Sequence, residues 1–158
     1  MAALGNGRVI KIGIVTADAA ETARRFAQVF PLVEPAEAPD DEAPRLSESR
    51  SWHYRGQPLD EEVPLTVANV HTENFWIEVI QPPEHPANPW YDHLREHGQS
   101  VMWMAVYVEE GFDAGVAAMK DLGYDATWIE DKGFERYAYF DTVAALGLMV
   151  ETKERYAH

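Results

Sequence analysis

Bulky apolar residues fill both the odd and the even positions of Phe75-Trp76-Ile77-Glu78-Val79-Ile80-Gln81-Pro82, with a single carboxylate, Glu78, among them. This is the pattern of a strand covered on both faces, ended by a proline that cannot donate to a ladder. A carboxylate in such a place must be paired, metal-bound or protonated, because taking it out of water costs several kcal/mol. Leu148-Met149-Val150-Glu151-Thr152 repeats the problem near the end of the chain. Two glutamates placed alike predict a duplicated unit with a shared site between its halves.

The same patterning sets out the other elements. Arg8 to Thr16 alternates Ile10, Ile12 and Ile14 against Val9, Lys11, Gly13 and Val15, a first strand with a lysine in its middle. Asp18 and Glu21 form a capping-box pattern, and Ala19, Ala23, Phe26 and Phe30 recur at helical spacing. Strands are predicted at Ser51 to Arg55, Pro64 to His71 and around Glu78. A short connector helix is predicted from Trp90 to His97, framed by Asn88, Pro89 and Gly98. A strand at Val101 to Val108, a helix stopped by Gly123, and strands at Ala126 to Glu130, Arg136 to Asp141 and Leu148 to Lys153 complete the order. Strand-helix-strand-strand-strand thus occurs twice, with a period of about 90 residues. The predicted architecture is α+β: one domain over residues 1–158, with module one at about 8–82, the connector at about 89–97 and module two at about 100–155. The two βαβββ modules curl into one open mixed β-barrel.

Composition narrows the function. The 158 residues carry 13 Lys and Arg against 27 Asp and Glu, a formal charge of -14, which argues against nucleic acid and anionic membranes as partners. The absence of cysteine excludes disulfides and thiolate chemistry. No apolar run approaches the roughly 20 residues of a membrane span, and the N-terminus lacks a signal-peptide pattern. A cytoplasmic protein is expected. The stretch from Val33 to Pro44, rich in Pro, Ala and acid, reads as a solvated loop.

The order of Lys11-Ile-Gly-Ile-Val, Trp76-Ile-Glu-Val-Ile-Gln-Pro, Tyr91-Asp-His-Leu-Arg-Glu-His-Gly-Gln-Ser-Val and Gly147-Leu-Met-Val-Glu-Thr resembles the vicinal oxygen chelate superfamily, in its glyoxalase and methylmalonyl-CoA epimerase-like branch. The resemblance implies paired modules, a homodimer, and a divalent metal held by two histidines opening the modules and a residue such as Glu on each closing strand. Glu78 and Glu151 stand at the closing positions. Lys11 and Trp103 stand where the histidines belong.

A lysine ammonium can offset one buried carboxylate as a metal would, so Lys11, Glu78 and Glu151 are the candidate catalytic residues, with one carboxylate of raised pKa as general base or acid. Trp76 and Trp103 are expected to line an apolar pocket, with His53, His71 and Tyr139 as further substrate-binding candidates. The expected function is a small-molecule isomerase, epimerase or lyase. It would act next to a carbonyl on a hydrophobic or aromatic substrate, with no cofactor and no metal. The rivals are a binding protein that sequesters a hydrophobic ligand, like the bleomycin-resistance branch, and a metal-dependent lyase with displaced ligands, His53 or His71 joining Glu78. A merely structural cluster of compensated charges fits the same residues.

Overall fold

The computed structural model describes residues 8–33, 50–108 and 111–155, together with Leu4. The acidic stretch beyond Val33 lies outside the described residues. β1 (Val9–Val15) leads into α1 (Ala19–Val29), which Asp18 caps by accepting from the Glu21 amide at 2.9 Å. β2 (Ser51–Tyr54) and β3 (Gln57–Pro58) form a short hairpin, followed by β4 (Thr66–His71) and β5 (Trp76–Gln81). The hairpin turn has φ of 51° at Arg55 and 74° at Gly56, the left-handed pair that two-residue turns favour. β3 has no counterpart in the periodic reading, being two residues long.

In α2 (Pro89–His97), the Asn88 side chain accepts from the Tyr91 amide at 2.7 Å, and Gly98 ends the helix at φ 69°. The second half runs β6 (Ser100–Tyr107), α3 (Phe112–Asp121), β7 (Ala126–Asp131), β8 (Glu135–Phe140), a single turn α4 (Val143–Leu146) and β9 (Met149–Arg155). No helix among the described residues is long and apolar enough to cross a membrane.

All nine strands join one mixed, unclosed sheet in the order β3-β2-β7-β8-β9-β6-β1-β5-β4. The two halves meet where β1 runs antiparallel to β6, and each is flanked by its own closing strand in parallel, β5 beside β1 and β9 beside β6. One pairing departs from the simple duplicated scheme. β2, the second strand of the first half, leaves that half and pairs with β7 at the far edge of the second. Periodicity shows that a segment is a strand; it holds no information on which edge the segment joins.

The convex face is covered by the helices. Ile14, Val70, Ile77 and Val79 pack under α1, while Val108, Ala138 and Phe140 pack with Phe112 and Met119 of α3. The concave face holds Val15, Ile80, Met102, Trp103, Trp128, Tyr137 and Tyr139 and is closed by Trp90 from α2. This inner layer carries the charged residues considered next.

Candidate functional site

Alternation along β1, β5 and β9 turns Lys11, Glu78, Glu151 and Lys153 to the concave face. Lys11 is 2 % exposed; its Nζ donates to Glu78 Oε2 at 2.7 Å and stands 3.2 Å from Glu151 Oε2. The second contact is one of charge rather than an aligned hydrogen bond, since neither Glu151 oxygen meets a donor in good geometry among the described residues. Glu151 is wholly buried, while the Glu78 side chain keeps 17 % of its surface.

A second cation accompanies them. Lys153 Nζ donates to Glu135 Oε1 at 3.0 Å, and Lys132, in the turn between β7 and β8, reaches the same oxygen at 3.8 Å. Both ammoniums lie over the Tyr137 ring, 5.5 and 5.4 Å from its centroid, and the Tyr137 hydroxyl donates to Glu130. These groups surround a cavity of about 60 Å³ lined by Lys11, Glu78, Lys132, Lys153, Tyr137 and Tyr139, with apolar contributions from Leu65, Val67, Ile80 and Trp90. The chain has four lysines, and three of them line this one cavity.

Burial and charge divide the two glutamates. Burial raises the Glu151 carboxyl above the ordinary value, and the attraction of Lys11 and Lys153 does not fully offset it. Burial would also raise Glu78, but the fields of Lys11 and Lys153 and its direct hydrogen bond from Lys11 win, and it is lowered. For Lys11, desolvation works against the ammonium, yet Glu151 and Glu78 reverse it, and Lys11 stays protonated well above its usual range. Lys153 is lowered, first by desolvation and then by the charge of Lys11. Burial raises both Tyr137 and Tyr139, keeping their hydroxyls neutral.

No model of a known protein family and no curated protein matches the sequence. Solved structures do. Methylmalonyl-CoA epimerase from Mycobacterium tuberculosis superposes with a TM-score of 0.65 at 14% identity, over 99% of this chain and 94% of that one. A methylmalonyl-CoA epimerase in complex with methylmalonyl-CoA and NH4+ gives 0.63 at 17% identity, covering 98% and 97%. A Streptomyces coelicolor methylmalonyl-CoA epimerase variant bound to 2-nitronate-propionyl-CoA gives 0.64 at 16% identity, with the same coverage of the two chains, 98% and 97%. The chain has the vicinal oxygen chelate fold.

Within the vicinal oxygen chelate fold the four expected metal-ligand positions are Lys11, Glu78, Trp103 and Glu151. They do not fit a metal. The Lys11 ammonium, with three donors and no lone pair, itself stands between the two carboxylates. Trp103 offers only an indole donor, is fully buried, and lies across Gly13, where an added Cβ would stand 1.9 Å from the indole ring. Among the described residues no three His, Asp or Glu are grouped to hold a metal ion.

The remaining residues expected from the sequence fall in different places. Tyr139 lines the cavity. Trp103 packs on Tyr139, ring centroids 5.3 Å apart, and forms core beneath the cavity rather than its wall. Trp76 and His71 stack on each other at 6.1 Å on the concave face of β4 and β5, apart from the lining. His53 alternates to the convex side with Ile129, where it lines a separate cavity beside Phe112 and Arg136, so it does not join Glu78 across the sheet as a displaced metal ligand. Trp76 and Trp103 do not wall a pocket together; the concave face is narrowed by Trp90, whose ring centroid lies 4.8 Å from that of Trp128 and 5.7 Å from that of Tyr139. Sequence reasoning named Tyr137 beside Tyr139 without deciding which of them faces inward, and both line the cavity. It missed Lys153, Glu135, Lys132 and Trp90, of which Lys153 was open to it, because it sits two residues along a strand from Glu151.

Proposed function

We propose that this protein is an enzyme of the isomerase or epimerase class that moves a proton on the carbon beside a carbonyl, with the Lys11 ammonium in the place of a metal. The observation that carries this reading is the position of Lys11 Nζ, 2.7 Å from Glu78 and 3.2 Å from Glu151, at the wall of a cavity that Glu78 also lines. Glu78 takes the proton from carbon because it, and not the raised but enclosed Glu151, lines the cavity and keeps part of its surface, although Lys11 holds it below the ordinary carboxylate value and so makes it the weaker base of the two. Lys11 has three donors, one of them hydrogen-bonded to Glu78, which leaves donors for the oxygen on which enolate charge develops. Glu151 holds Lys11 in place from behind. Return of the proton from Glu78, or of another from solvent on the opposite face, gives back the original substrate or its epimer.

The cavity, about 60 Å³, is far smaller than a pocket for a whole ligand, so it has room for only a few atoms at the reacting end of a substrate, with the remainder outside. Structures of the same fold that carry methylmalonyl-CoA and 2-nitronate-propionyl-CoA support an acyl thioester as the first compound to try. One of them also carries NH4+, the same kind of cation that Lys11 bears covalently.

The test is exchange of the α-proton of methylmalonyl-CoA and of simpler branched acyl thioesters in D2O, followed by proton NMR, with protein freed of metal by a chelator. The expected result is protein-dependent exchange that Lys11→Met and Glu78→Gln each reduce by about 100-fold or more. Exchange restored only by added metal would overturn the role given to Lys11. Binding of these thioesters without any exchange would overturn the catalytic reading and leave a ligand-binding protein.

A further inference from the structure

Lys11 is committed to two carboxylates and remains an ammonium, but Lys153 is held differently. Its side chain is 7 % exposed and lines the cavity, and the carboxylate that meets it among the described residues, Glu135, is also reached by Lys132. Both lysines also stand over the Tyr137 ring, a contact that favours the ammonium form and that either of them can keep when the other is neutral. If Lys153 gives up its proton, Lys132 is still present to compensate Glu135. Charge and burial act in that direction: desolvation and the neighbouring Lys11 favour the neutral amine, against Glu135, Glu151 and Glu78. A lysine in a sheltered pocket beside another fixed cation is a known way to obtain a nucleophilic amine near neutral pH.

We propose that Lys153 is a nucleophilic amine whose Nζ forms an imine with a small aldehyde or ketone admitted to the concave cavity. The nitrogen lone pair attacks the carbonyl carbon, forming the C–N bond as the C=O π pair moves to oxygen. A proton passes from nitrogen to that oxygen to give the neutral carbinolamine. The carbinolamine hydroxyl leaves as water after taking a proton from the Lys132 ammonium, and the remaining N–H proton returns to Lys132 as C=N is completed. The sum is amine plus carbonyl to imine plus water, with no oxidant or reductant. The inference shares the cavity of the proposed function and requires a carbonyl ligand, but it assigns chemistry to a lysine which that function leaves unused.

Reductive trapping tests it directly. The full chain is incubated near neutral pH with acetaldehyde and cyanoborohydride, and ethylated peptides are quantified by mass spectrometry. Exposed Lys120, the one lysine outside the cavity, serves as the internal reference. Lys153 is expected to be labelled several-fold faster than Lys120, because burial and Lys11 leave more of it as the free amine. Lys153→Arg, which keeps a cation beside Glu135, is expected to abolish the fast labelling and leave that of Lys120 unchanged. Equal labelling of the two lysines, label on Lys120 with none on Lys153, or fast labelling of another cavity lysine would overturn the proposal. The two readings fail separately. Proton exchange without a trapped Lys153 sinks only the imine, and a trapped Lys153 without exchange sinks only the epimerase.

Discussion

Lys11 and Glu151, from the opening strand of one half and the closing strand of the other, meet 3.2 Å apart with both side chains almost wholly out of water. The contact joins the two modules inside the core and compensates a carboxylate that has no other cation within ion-pair distance among the described residues. Removing one member of a buried pair strands the other. Lys11→Met is therefore expected to lose about 3–5 kcal/mol of stability at neutral pH. Glu151→Gln added to it should restore part of that loss, because the stranded charge is gone. Urea denaturation of the two single variants and the double variant measures the coupling, and strictly additive losses would show that the pair does not interact.

The pH dependence has a sign set by each group. Glu78, lowered in the fold, contributes stability above the ordinary carboxylate value of 4.5, and this is lost as pH falls through its folded value. Lys11, raised, contributes below its ordinary 10.5 and loses this only as pH rises through its still higher folded value. Glu151 runs the other way. Its folded value lies above 4.5, so ionising it costs stability as pH rises through that window. Wild type should therefore fall relative to Glu151→Gln by up to about 1.4 kcal/mol per pH unit across the window. Denaturation midpoints of the two proteins in a pH series test this, and a constant gap would contradict the raised carboxyl.

Gly13 and Trp103 face each other across β1 and β6, and the indole occupies the volume that any side chain at Gly13 would need. Trp103 is fully buried and is backed by the Tyr139 ring, centroids 5.3 Å apart. Gly13→Ala is expected to cost about 1–3 kcal/mol through overpacking. Gly13→Ala combined with Trp103→Phe should recover some of it, which thermal unfolding of the pair would show.

Glu78 and Glu151 should separate in kinetics as they do in exposure. Glu78→Gln removes the proposed base and is expected to lower kcat for proton exchange by about 100-fold or more. Glu151→Gln leaves the base in place and alters only the hold on Lys11, so a smaller loss with a displaced pH profile is expected. A larger loss at Glu151→Gln than at Glu78→Gln would mean that Glu151, not Glu78, is the base.

Much of this site can be read along single strands. The period of two in β1, β5 and β9 puts Lys11, Glu78 and Glu151 each among apolar neighbours, which is why a charged cluster was expected and where it occurs. Lys153 and Tyr137 were equally legible by the same period. Lys132 was not, since its place over Tyr137 comes from the turn joining β7 to β8, and nothing local to Trp90 tells that it enters the concave face from a helix between the halves.

The sequence by itself determined the elements, their duplicated order and the set of side chains that share a face, because these follow from backbone periodicity and from the cost of burying a charge alone. Tertiary structure alone decided that β2 crosses to β7, that His53 faces away from the cluster, and that aromatic rings fill the concavity to leave a small lysine-lined cavity. Those outcomes depend on contacts between residues far apart in the chain, where packing of volumes and pairing of charges are settled together.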